Sequence, residues 1–337
     1  MESDANSPPA AESTMRAIVQ DAYGSADVMR YTTIPRPEIA DDEVLVQVHA
    51  AGVDRGTWHY LTGRPYLMRV MGFGLRRPKN RVSGLDIAGI VVAVGPAVTR
   101  FAVGDEVFGV SKGAFAEYAA AKESKLALKP ARLTWEQAAV VPISGSTAYQ
   151  GLHDSGRVLP GQKLLIIGAS GGVGSYAVQL GKAHGAEVTG VCSTAKVELV
   201  RSLGADHVVD YTRRDFAAGP ERYDLILDIG GNSPLSKLRR ALTPTGTLVV
   251  VGGEQGGRWT GGFGRSLRAV AMSPFVRQRL TMLASKEQYS TLEQLSPLLE
   301  AGQVTPSIER AYVLEQVPEA LLHLEAGQVR GKLAITI

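Results

Sequence analysis

The sequence predicts an α/β protein in which a β-rich domain is joined to a doubly wound parallel sheet. Two different residue patterns along the chain indicate this class. Residues 15–140 are rich in β alternation and glycine turns, as in 43–50 (EVLVQVHA) and 87–95 (IAGIVVAVG). From about residue 141, apolar strands alternate with helical segments, which is the pattern of a parallel sheet covered by helices on both faces.

The parallel-sheet domain is expected to span residues 141–285. Its strands are predicted from apolar runs at 163–167, 187–191, 207–209, 224–228, 247–251 and 279–284. Residues 286–337 are expected to return to the first domain, through a helix from Ser290 to Ala301 and a last strand at 332–337. Residues 1–14 are polar and proline-bearing, and we expect them to form a disordered tail.

A glycine turn is the most informative motif of the chain. The apolar run 163–167 leads into residues 168–174 (GASGGVG), and a helical segment follows. Glycines let the backbone approach a diphosphate, and the next helix directs its free N–H groups at the anion. The alternatives are an ordinary strand-to-helix turn and a triphosphate P-loop, and the second is disfavoured because no Gly-Lys-Ser/Thr follows. The predicted dinucleotide contacts are Ser170, Gly171, Gly172, Val173 and Gly174.

The end of the next strand indicates which dinucleotide binds. An NAD site would place a carboxylate there, about 20 residues beyond the turn. Residues 193–196 (STAK) instead offer hydroxyls and an ammonium, which suit a 2′-phosphate. NADPH is therefore the predicted cofactor, with Ser193, Lys196 and Tyr211 as phosphate contacts. A simpler interpretation is that Ser193 and Thr194 only cap the following helix.

Length, charge and cysteine content limit the number of domains, the partners and the location that can be expected. The chain has 337 residues, enough for two domains, and its net charge of +3 is too small to imply a nucleic-acid partner. No apolar run approaches membrane-spanning length. The single cysteine, Cys192, excludes an intramolecular disulfide framework and fits a reducing environment, so a cytoplasmic protein is expected.

Several landmarks outside the glycine turn carry a family resemblance. They are residues 51–54 (AGVD), 84–89 (GLDIAG), 103–107 (VGDEV), 113–118 (GAFAEY), 145–148 (GSTA) and 331–332 (GK). Together they make the sequence similar to the medium-chain dehydrogenase/reductase superfamily, in its zinc-independent quinone oxidoreductase-like branch. The resemblance implies a GroES-like catalytic domain with an inserted Rossmann domain, and a cofactor in the cleft between them. It also implies a homodimer in which the last Rossmann strands of the two subunits pair with each other. Further candidate cofactor contacts are Ser144, Thr147, Asp228, Gly252 and Lys332.

No metal site is expected. A catalytic zinc needs three protein ligands and an open position. Where zinc-using relatives carry a cysteine, this chain has Asp54, and where they carry a His-Glu pair it has Leu85 and Asp86. Their structural zinc needs four cysteines, and this chain has one. Without a metal, hydrogen-bond donors must polarise a carbonyl, and a side chain or water must supply the proton.

The candidate catalytic residues lie in residues 54–60 (DRGTWHY). The resemblance implies that Asp54 lies near the nicotinamide. His59 is the first candidate proton donor because an imidazole titrates near neutral pH, although a packed or surface histidine is an equally reasonable interpretation. Tyr60 is a weaker candidate of the same kind.

Two segments, 64–81 and 258–279, mix basic with large apolar residues. One interpretation is an apolar substrate entrance with a basic rim, in peripheral contact with a membrane that holds a lipophilic quinone. A second is a lid and an interface helix with solvated arginines. A third, a nucleic-acid surface, is disfavoured because no RNA-reading motif is present.

Together these observations predict a zinc-free, NADPH-dependent oxidoreductase that transfers hydride to a quinone or an α,β-unsaturated carbonyl. The expected substrate is an apolar small molecule. Two alternatives stay open. One is an NADPH-dependent alcohol dehydrogenase or aldehyde reductase, and the other is a low-turnover NADPH-binding regulatory protein.

Overall fold

The structure, a computed structural model, describes residues 14–253 and 257–337. The strands are β1 (Thr14–Gln20), β2 (Met29–Pro35), β3 (Glu43–Val53), β4 (Asp86–Val94), β5 (Glu106–Val110), β6 (Tyr118–Lys122), β7 (Leu126–Leu128), β8 (Lys163–Ile167), β9 (Glu187–Cys192), β10 (His207–Asp210), β11 (Tyr223–Asp228), β12 (Leu242–Val250), β13 (Arg279–Met282), β14 (Ile308–Val313) and β15 (Lys332–Thr336). The α-helices are α1 (Arg55–Thr62), α2 (Tyr66–Met68), α3 (Trp135–Ala139), α4 (Pro142–Gln150), α5 (Gly172–Ala183), α6 (Val197–Ser202), α7 (Leu235–Ala241), α8 (Phe263–Met272), α9 (Tyr289–Glu300) and α10 (Val317–Glu325).

The Rossmann-like domain is a parallel sheet in the order β10-β9-β8-β11-β12-β13. Alternate residues of β8 enter two different cores: Leu164 packs with α5, whereas Leu165 packs with Leu238 of α7 and Ala269 of α8. Helices therefore cover both faces, which confirms the predicted α/β class. The strand order reverses between β8 and β11, and sheets of this kind bind ligands beyond the carboxyl ends of the strands at such a point.

The GroES-like domain is built on a second sheet, in the order β14-β15-β3-β4-β5-β7, with β6 paired to β3. The last strand, β15, lies between β14 and β3 and runs antiparallel to β3, with Leu333 opposite Val53. The C-terminal strand thus returns to the first domain. Helix α9 lies where the two domains meet, because Leu292, Leu295 and Leu299 belong to a core that includes both Phe108 of β5 and Leu164 of β8.

The sequence-predicted strands differ from the observed ones mainly at their ends. β12 begins at Leu242 rather than at residue 247, and its pairing with β11 is interrupted after Tyr223. β13 ends at Met282 rather than at residue 284. Thr14, assigned to the disordered tail, is the first residue of β1, where it pairs with Pro35. Residues 1–13 of that predicted tail lie outside the part of the chain that the structure describes.

Candidate active site

The glycine turn connects the carboxyl end of β8 with the start of α5. Gly168 has a φ of +91°, a conformation that favours glycine, and Gly171 N donates to Gly168 O at 3.1 Å. Ser175 N donates to Gly171 O at 2.9 Å, within the first turn of the helix. The preceding N–H groups, of residues 172–174, lie where a helix has no acceptor of its own. They point with the positive end of the helix toward the space above the turn.

The glycines of the turn have separate roles. A Cβ on Gly174 would lie 2.1 Å from Gly168 O, so Gly174 allows the helix to pack closely on the strand end. A Cβ on Gly171 would meet only Gly168 O, at 3.5 Å, so space is open beside this residue. A tight turn, an open backbone face and unpaired N–H groups fit the diphosphate of a nicotinamide dinucleotide.

A buried charged cluster lies directly beneath the turn. Lys332, on β15, donates from Nζ to Ser144 Oγ at 3.1 Å, and its Nζ is 3.9 Å from Asp86 Oδ2. Gly331 N donates to Ser170 O at 2.9 Å. A Cβ on Gly172 would lie 2.9 Å from Lys332 Cδ. The Gly331-Lys332 landmark therefore joins the last strand to the glycine turn and to α4.

Asp86 is the titratable group most affected by this cluster. It is fully buried, and its Oδ1 accepts from Ile143 N at 3.1 Å. Burial raises the pKa of the Asp86 carboxyl well above its ordinary value, and the nearby Asp54 raises it further, whereas the Lys332 ammonium opposes both effects. Asp86 is thus held toward its neutral form.

Asp54, one of the three candidate catalytic residues, caps the N-terminus of α1. Its Oδ1 accepts from Thr57 N at 2.7 Å and from Thr57 Oγ1 at 3.2 Å. The other oxygen, Oδ2, is buried without a hydrogen-bond partner among the described residues. Asp54 therefore fixes the position of α1 while one carboxylate oxygen stays unsatisfied.

His59 and Tyr60, the other two candidates, contact the segment that follows α1. His59 Nδ1 lies 2.7 Å from Arg64 O, and because a carbonyl only accepts, Nδ1 is the donor. The Tyr60 hydroxyl accepts from Asn80 N at 3.1 Å. Both side chains thus connect α1 to residues 64–81.

The candidate 2′-phosphate residues lie at the end of β9. Lys196 Nζ donates to Gly327 O at 3.1 Å and to Val329 O at 2.8 Å. Burial lowers its pKa, and Arg330 acts in the same direction. Tyr211 is 62% exposed. Arg330 is a second cation at this strand end that our sequence analysis missed, although it directly precedes the Gly331-Lys332 landmark.

A carboxylate that was also missed lies beside them. Asp210 ends β10, in register with Cys192 at the end of β9. Its Oδ2 accepts from Thr194 Oγ1 at 2.5 Å, and its Oδ1 accepts from Thr212 N at 2.9 Å. Strand pairing, which the sequence alone does not show, brings this carboxylate to the end of β9.

Asp228 and Gly252 are linked through a residue that was not predicted. Asp228 Oδ2 lies 2.5 Å from Arg265 Nη2, and the same nitrogen donates to Gly252 O at 3.2 Å. Burial raises the pKa of the Asp228 carboxyl, and Arg265 opposes this. Sequence analysis placed Arg265 in a basic surface segment, whereas its guanidinium lies at the end of the sheet.

The predicted cofactor residues converge at one edge of the parallel sheet. The glycine turn, Ser193 and Gly252 follow the carboxyl ends of β8, β9 and β12, and Asp228 is the last residue of β11. Thr147 lines a cavity of about 110 Å³ that reaches from Val110 of β5 to Ser285 and Leu292. This cavity lies between the two sheets, on the other side of α4 from the turn.

The described part of the chain offers neither a metal-binding cluster nor a membrane-spanning helix. Among residues 14–253 and 257–337, no group of three His, Cys, Asp or Glu side chains could hold a metal ion. Within the same residues, no helix has the length and apolar character needed to span a bilayer.

Comparison with known proteins agrees with this architecture. Residues 40–131 match the family described as alcohol dehydrogenase GroES-like domain, and residues 203–335 match the one described as zinc-binding dehydrogenase. The 2-methylene-furan-3-one reductase of Solanum lycopersicum is 33% identical, over 96% of this chain and 79% of its own length. The chloroplastic NADPH-dependent alkenal/one oxidoreductase of Arabidopsis thaliana is 32% identical, over 95% and 79%. The quinone oxidoreductase of Coxiella burnetii superposes with a TM-score of 0.85 at 27% identity, covering 96% of this chain and 99% of its own.

Fold, glycine turn and relatives together define an oxidoreductase that uses a nicotinamide cofactor. The chain belongs to the medium-chain dehydrogenase/reductase superfamily, in its quinone oxidoreductase-like branch.

Proposed function

We propose that the protein transfers hydride from NADPH to a quinone or to an α,β-unsaturated carbonyl compound. The observation that carries this proposal is the open backbone face at Gly171, above the unpaired N–H groups of α5, in a turn that Gly331 of the GroES-like domain contacts through Ser170. The names of the relatives support the substrate class, because an alkenal, an alkenone and a methylene-furanone each contain a conjugated carbonyl.

NADPH is proposed over NADH because Lys196, after the end of β9, donates to the carbonyl of Val329, which brings it next to a second cation, Arg330. Glu309 also acts on Lys196 and raises its pKa, against the effects of burial and of Arg330. A 2′-phosphate would gain charge-assisted hydrogen bonds there, with the exposed Tyr211 beside it. Asp210 opposes this preference, because the hydrogen bond from Thr194 lowers the pKa of its carboxyl and keeps it charged, while Arg213, 3.6 Å away, offsets part of that charge.

When bound, the reduced nicotinamide supplies the hydride. The chain's own residues have other tasks: the backbone of the turn holds the diphosphate, and Asp54 fixes α1 through its bonds to Thr57. His59 is the proposed proton donor, and its Nδ1 contact with Arg64 O sets the orientation of the ring. No zinc takes part in this proposal, because Asp54 and Leu85 stand where zinc-using relatives carry a cysteine and a histidine.

A homodimer through the free edge of β13 is a further part of the proposal. Leu283 N donates to Val250 O, so by strand alternation the N–H of Thr281 also faces β12 and that of Met282 faces the free edge. Met282→Pro is therefore expected to yield a folded monomer, whereas Thr281→Pro would disturb the sheet itself. A wild-type chain that sediments as a monomer at micromolar concentration would contradict the dimer.

We also propose a cytoplasmic location and a peripheral contact with a membrane. The location is supported by the single cysteine of the chain, Cys192, since a chain without paired cysteines fits a reducing compartment. Burial raises the pKa of its thiol to about 11, so Cys192 is a core residue rather than a nucleophile.

The proposed activity is tested by following NADPH oxidation with a panel of quinones, enones, saturated aldehydes and alcohols. We expect turnover with quinones or enones, and slow or no turnover with saturated aldehydes. Preference for saturated aldehydes would indicate an aldehyde reductase, and tight NADPH binding without turnover on any compound would indicate a regulatory binding protein. Either result would contradict the proposal.

A further inference from the structure

The two basic and apolar segments meet in space. Tyr66 N donates to Arg258 O at 2.9 Å, and Leu67 N donates to Trp259 O at 3.0 Å. The rings of Tyr66 and Trp259 also meet edge to face, with their centroids 5.3 Å apart. Residues 64–81, from the GroES-like domain, and residues 257–279, from the Rossmann-like domain, therefore form one surface that joins the two domains. We call it the arginine face.

The arginine face exposes an unusual amount of apolar side chain. Five of its residues are between 67% and 88% exposed, namely Val70, Met71, Leu75, Trp259 and Phe275. Helix α8 adds a stripe at i, i+4 and i+7, namely Phe263, Leu267 and Val270, each at least 40% exposed. An amphipathic helix normally buries such a stripe against the core. A contiguous exposed apolar surface of this kind indicates an interaction site.

The charge of the arginine face has one sign. Residues 64–81 contain six Lys and Arg, residues 257–279 contain five, and neither segment contains any of the 33 acidic residues of the chain. Two of these cations pair with carboxylates: Arg265 with the buried Asp228, and Arg81 with Asp21 at the surface. Seven others are exposed: Arg64, Arg76, Arg77, Lys79, Arg258, Arg268 and Arg277. A chain of net charge +3 thus concentrates its positive charge here.

Next to Phe275 the surface continues into an open groove of about 530 Å³. Three arginines line it, Arg239, Arg240 and Arg277, together with Gln278. Its size and charge suit an anionic headgroup.

We propose that the arginine face binds the surface of an anionic lipid bilayer. Exposed aliphatic and aromatic side chains would enter the boundary between headgroups and acyl chains, and the surrounding arginines would contact lipid phosphates. This proposal does not depend on the identity of the substrate. Because the face includes both domains, a bound protein would present the side of its cleft to the membrane.

Two other occupants fit less well. A second copy of the chain in a two-fold contact would bring this patch against itself, so like charges would face each other without acidic partners. Single-stranded nucleic acid could stack on Trp259 and Phe275, but it would leave Val70, Met71 and Leu75, which offer no stacking surface, exposed to water. A bilayer surface would cover all five side chains.

Co-sedimentation of the full chain with vesicles tests the proposal. We expect binding to vesicles of phosphatidylcholine mixed with phosphatidylglycerol, little binding to phosphatidylcholine alone, and release by salt. Arg76→Glu/Arg77→Glu and, separately, Met71→Ser/Leu75→Ser should each weaken binding at least tenfold. Lys112→Glu/Arg222→Glu, which makes the same change of charge at exposed sites elsewhere, is the matched control and should bind like the wild type.

Thermal unfolding and NADPH binding of each variant, measured without vesicles, show whether it is folded. Absence of vesicle binding at low salt, or equal loss in the control, would overturn the proposal. So would binding to a DNA oligonucleotide with no binding to vesicles. If the wild type forms oligomers that the Met71→Ser/Leu75→Ser variant loses while vesicles bind neither protein, the occupant is a second copy and the proposal fails. Turnover of a water-soluble enone tests the enzymatic activity independently of all these outcomes.

Discussion

Lys332, on the last strand, donates to Ser144 Oγ at 3.1 Å, directly beneath the glycine turn. The lysine is 2% exposed and the serine is equally buried. Since Gly331 N also bonds Ser170 O, the C-terminal strand and the turn hold each other in place. Within the described part of the chain, the buried ammonium forms an ion pair with Asp86, whose Oδ2 is 3.9 Å away, too far for a direct hydrogen bond. This cluster therefore couples the stability of the domain junction to ionisation.

Lys332→Met is expected to destabilise the protein in a pH-dependent way. Asp86 has a raised pKa in the folded state. At pH values between the ordinary carboxyl pKa of about 4 and this raised pKa, the folded protein therefore binds more protons than the unfolded chain. Its free energy of unfolding consequently falls as pH rises through this range. Removing the ammonium raises the Asp86 pKa further and extends this fall to higher pH. Urea unfolding should show that Lys332→Met loses about 3–5 kcal/mol in its free energy of unfolding at pH values where Asp86 of the wild type is charged, and less near pH 5.

The double variant Asp86→Asn/Lys332→Met is the control. With no carboxyl at position 86, it should lose the extra pH dependence that Lys332→Met introduces, and the pH profile of its stability should follow that of Asp86→Asn alone. A loss that is equal at every pH and that Asp86→Asn does not relieve would show that Lys332 acts through packing alone.

Two glycine substitutions should separate cofactor binding from folding. The extended backbone of Gly171 accepts alanine, and the added methyl would point into open space, so Gly171→Ala should fold normally while NADPH affinity falls at least tenfold. Gly174→Ala would place a Cβ 2.1 Å from Gly168 O, so we expect its free energy of unfolding to fall by about 1–3 kcal/mol. Calorimetric titration and thermal unfolding of both variants check this. Unchanged NADPH binding by Gly171→Ala would mean that the diphosphate lies elsewhere.

Lys196→Ala should weaken NADPH binding about tenfold to a hundredfold and leave NADH nearly unchanged, since a charge-assisted contact is worth roughly 1.5–3 kcal/mol. Its Nζ also bonds two carbonyls of the C-terminal segment, so a structural role is the competing explanation. Arg330→Ala, which leaves those two bonds in place, should show the same selective loss. Equal losses for both cofactors in Lys196→Ala would make the lysine structural.

His59→Phe is expected to lower kcat about a hundredfold with NADPH affinity within a few-fold, because general acid help typically contributes on that order. His59→Asn keeps an N–H that can reach Arg64 O but has no titratable proton. If His59 is the acid, both variants lose activity and the neutral limb of the pH–rate profile. Full activity in His59→Asn would assign the histidine to holding residues 64–81.

How far the sequence predicts this structure depends on how local each feature is. The strand, glycine turn and helix at 163–183 follow from neighbouring residues, and the structure reproduces them. The contact of Lys332 with Ser144 joins residues far apart in the chain, so only the landmark could be recognised, not its contact. Likewise, 64–81 and 258–279 were each recognised by composition, but their pairing through Tyr66 and Trp259 depends on how the domains meet.

Two features of the structure depend on which strands are neighbours in the sheet, and the sequence alone does not show this. Asp210 reaches the end of β9 only because β10 pairs with β9 in that register. The direction of the Thr281 N–H likewise follows from the bond between Leu283 and Val250. Periodicity identifies which side chains share a face of a strand, but it does not identify the neighbouring strand.

Isotope transfer is the most direct measurement of the central claim. The protein is incubated with NADPH that carries deuterium on each face of C4 in turn, together with an enone that the panel identifies as a substrate, and the product is analysed by mass spectrometry and NMR. We predict that deuterium from one face of the cofactor, and only one, appears on the β-carbon of the product, while the proton on the α-carbon comes from solvent. Product without deuterium from either face, or NADPH oxidation without a reduced product, would contradict the account.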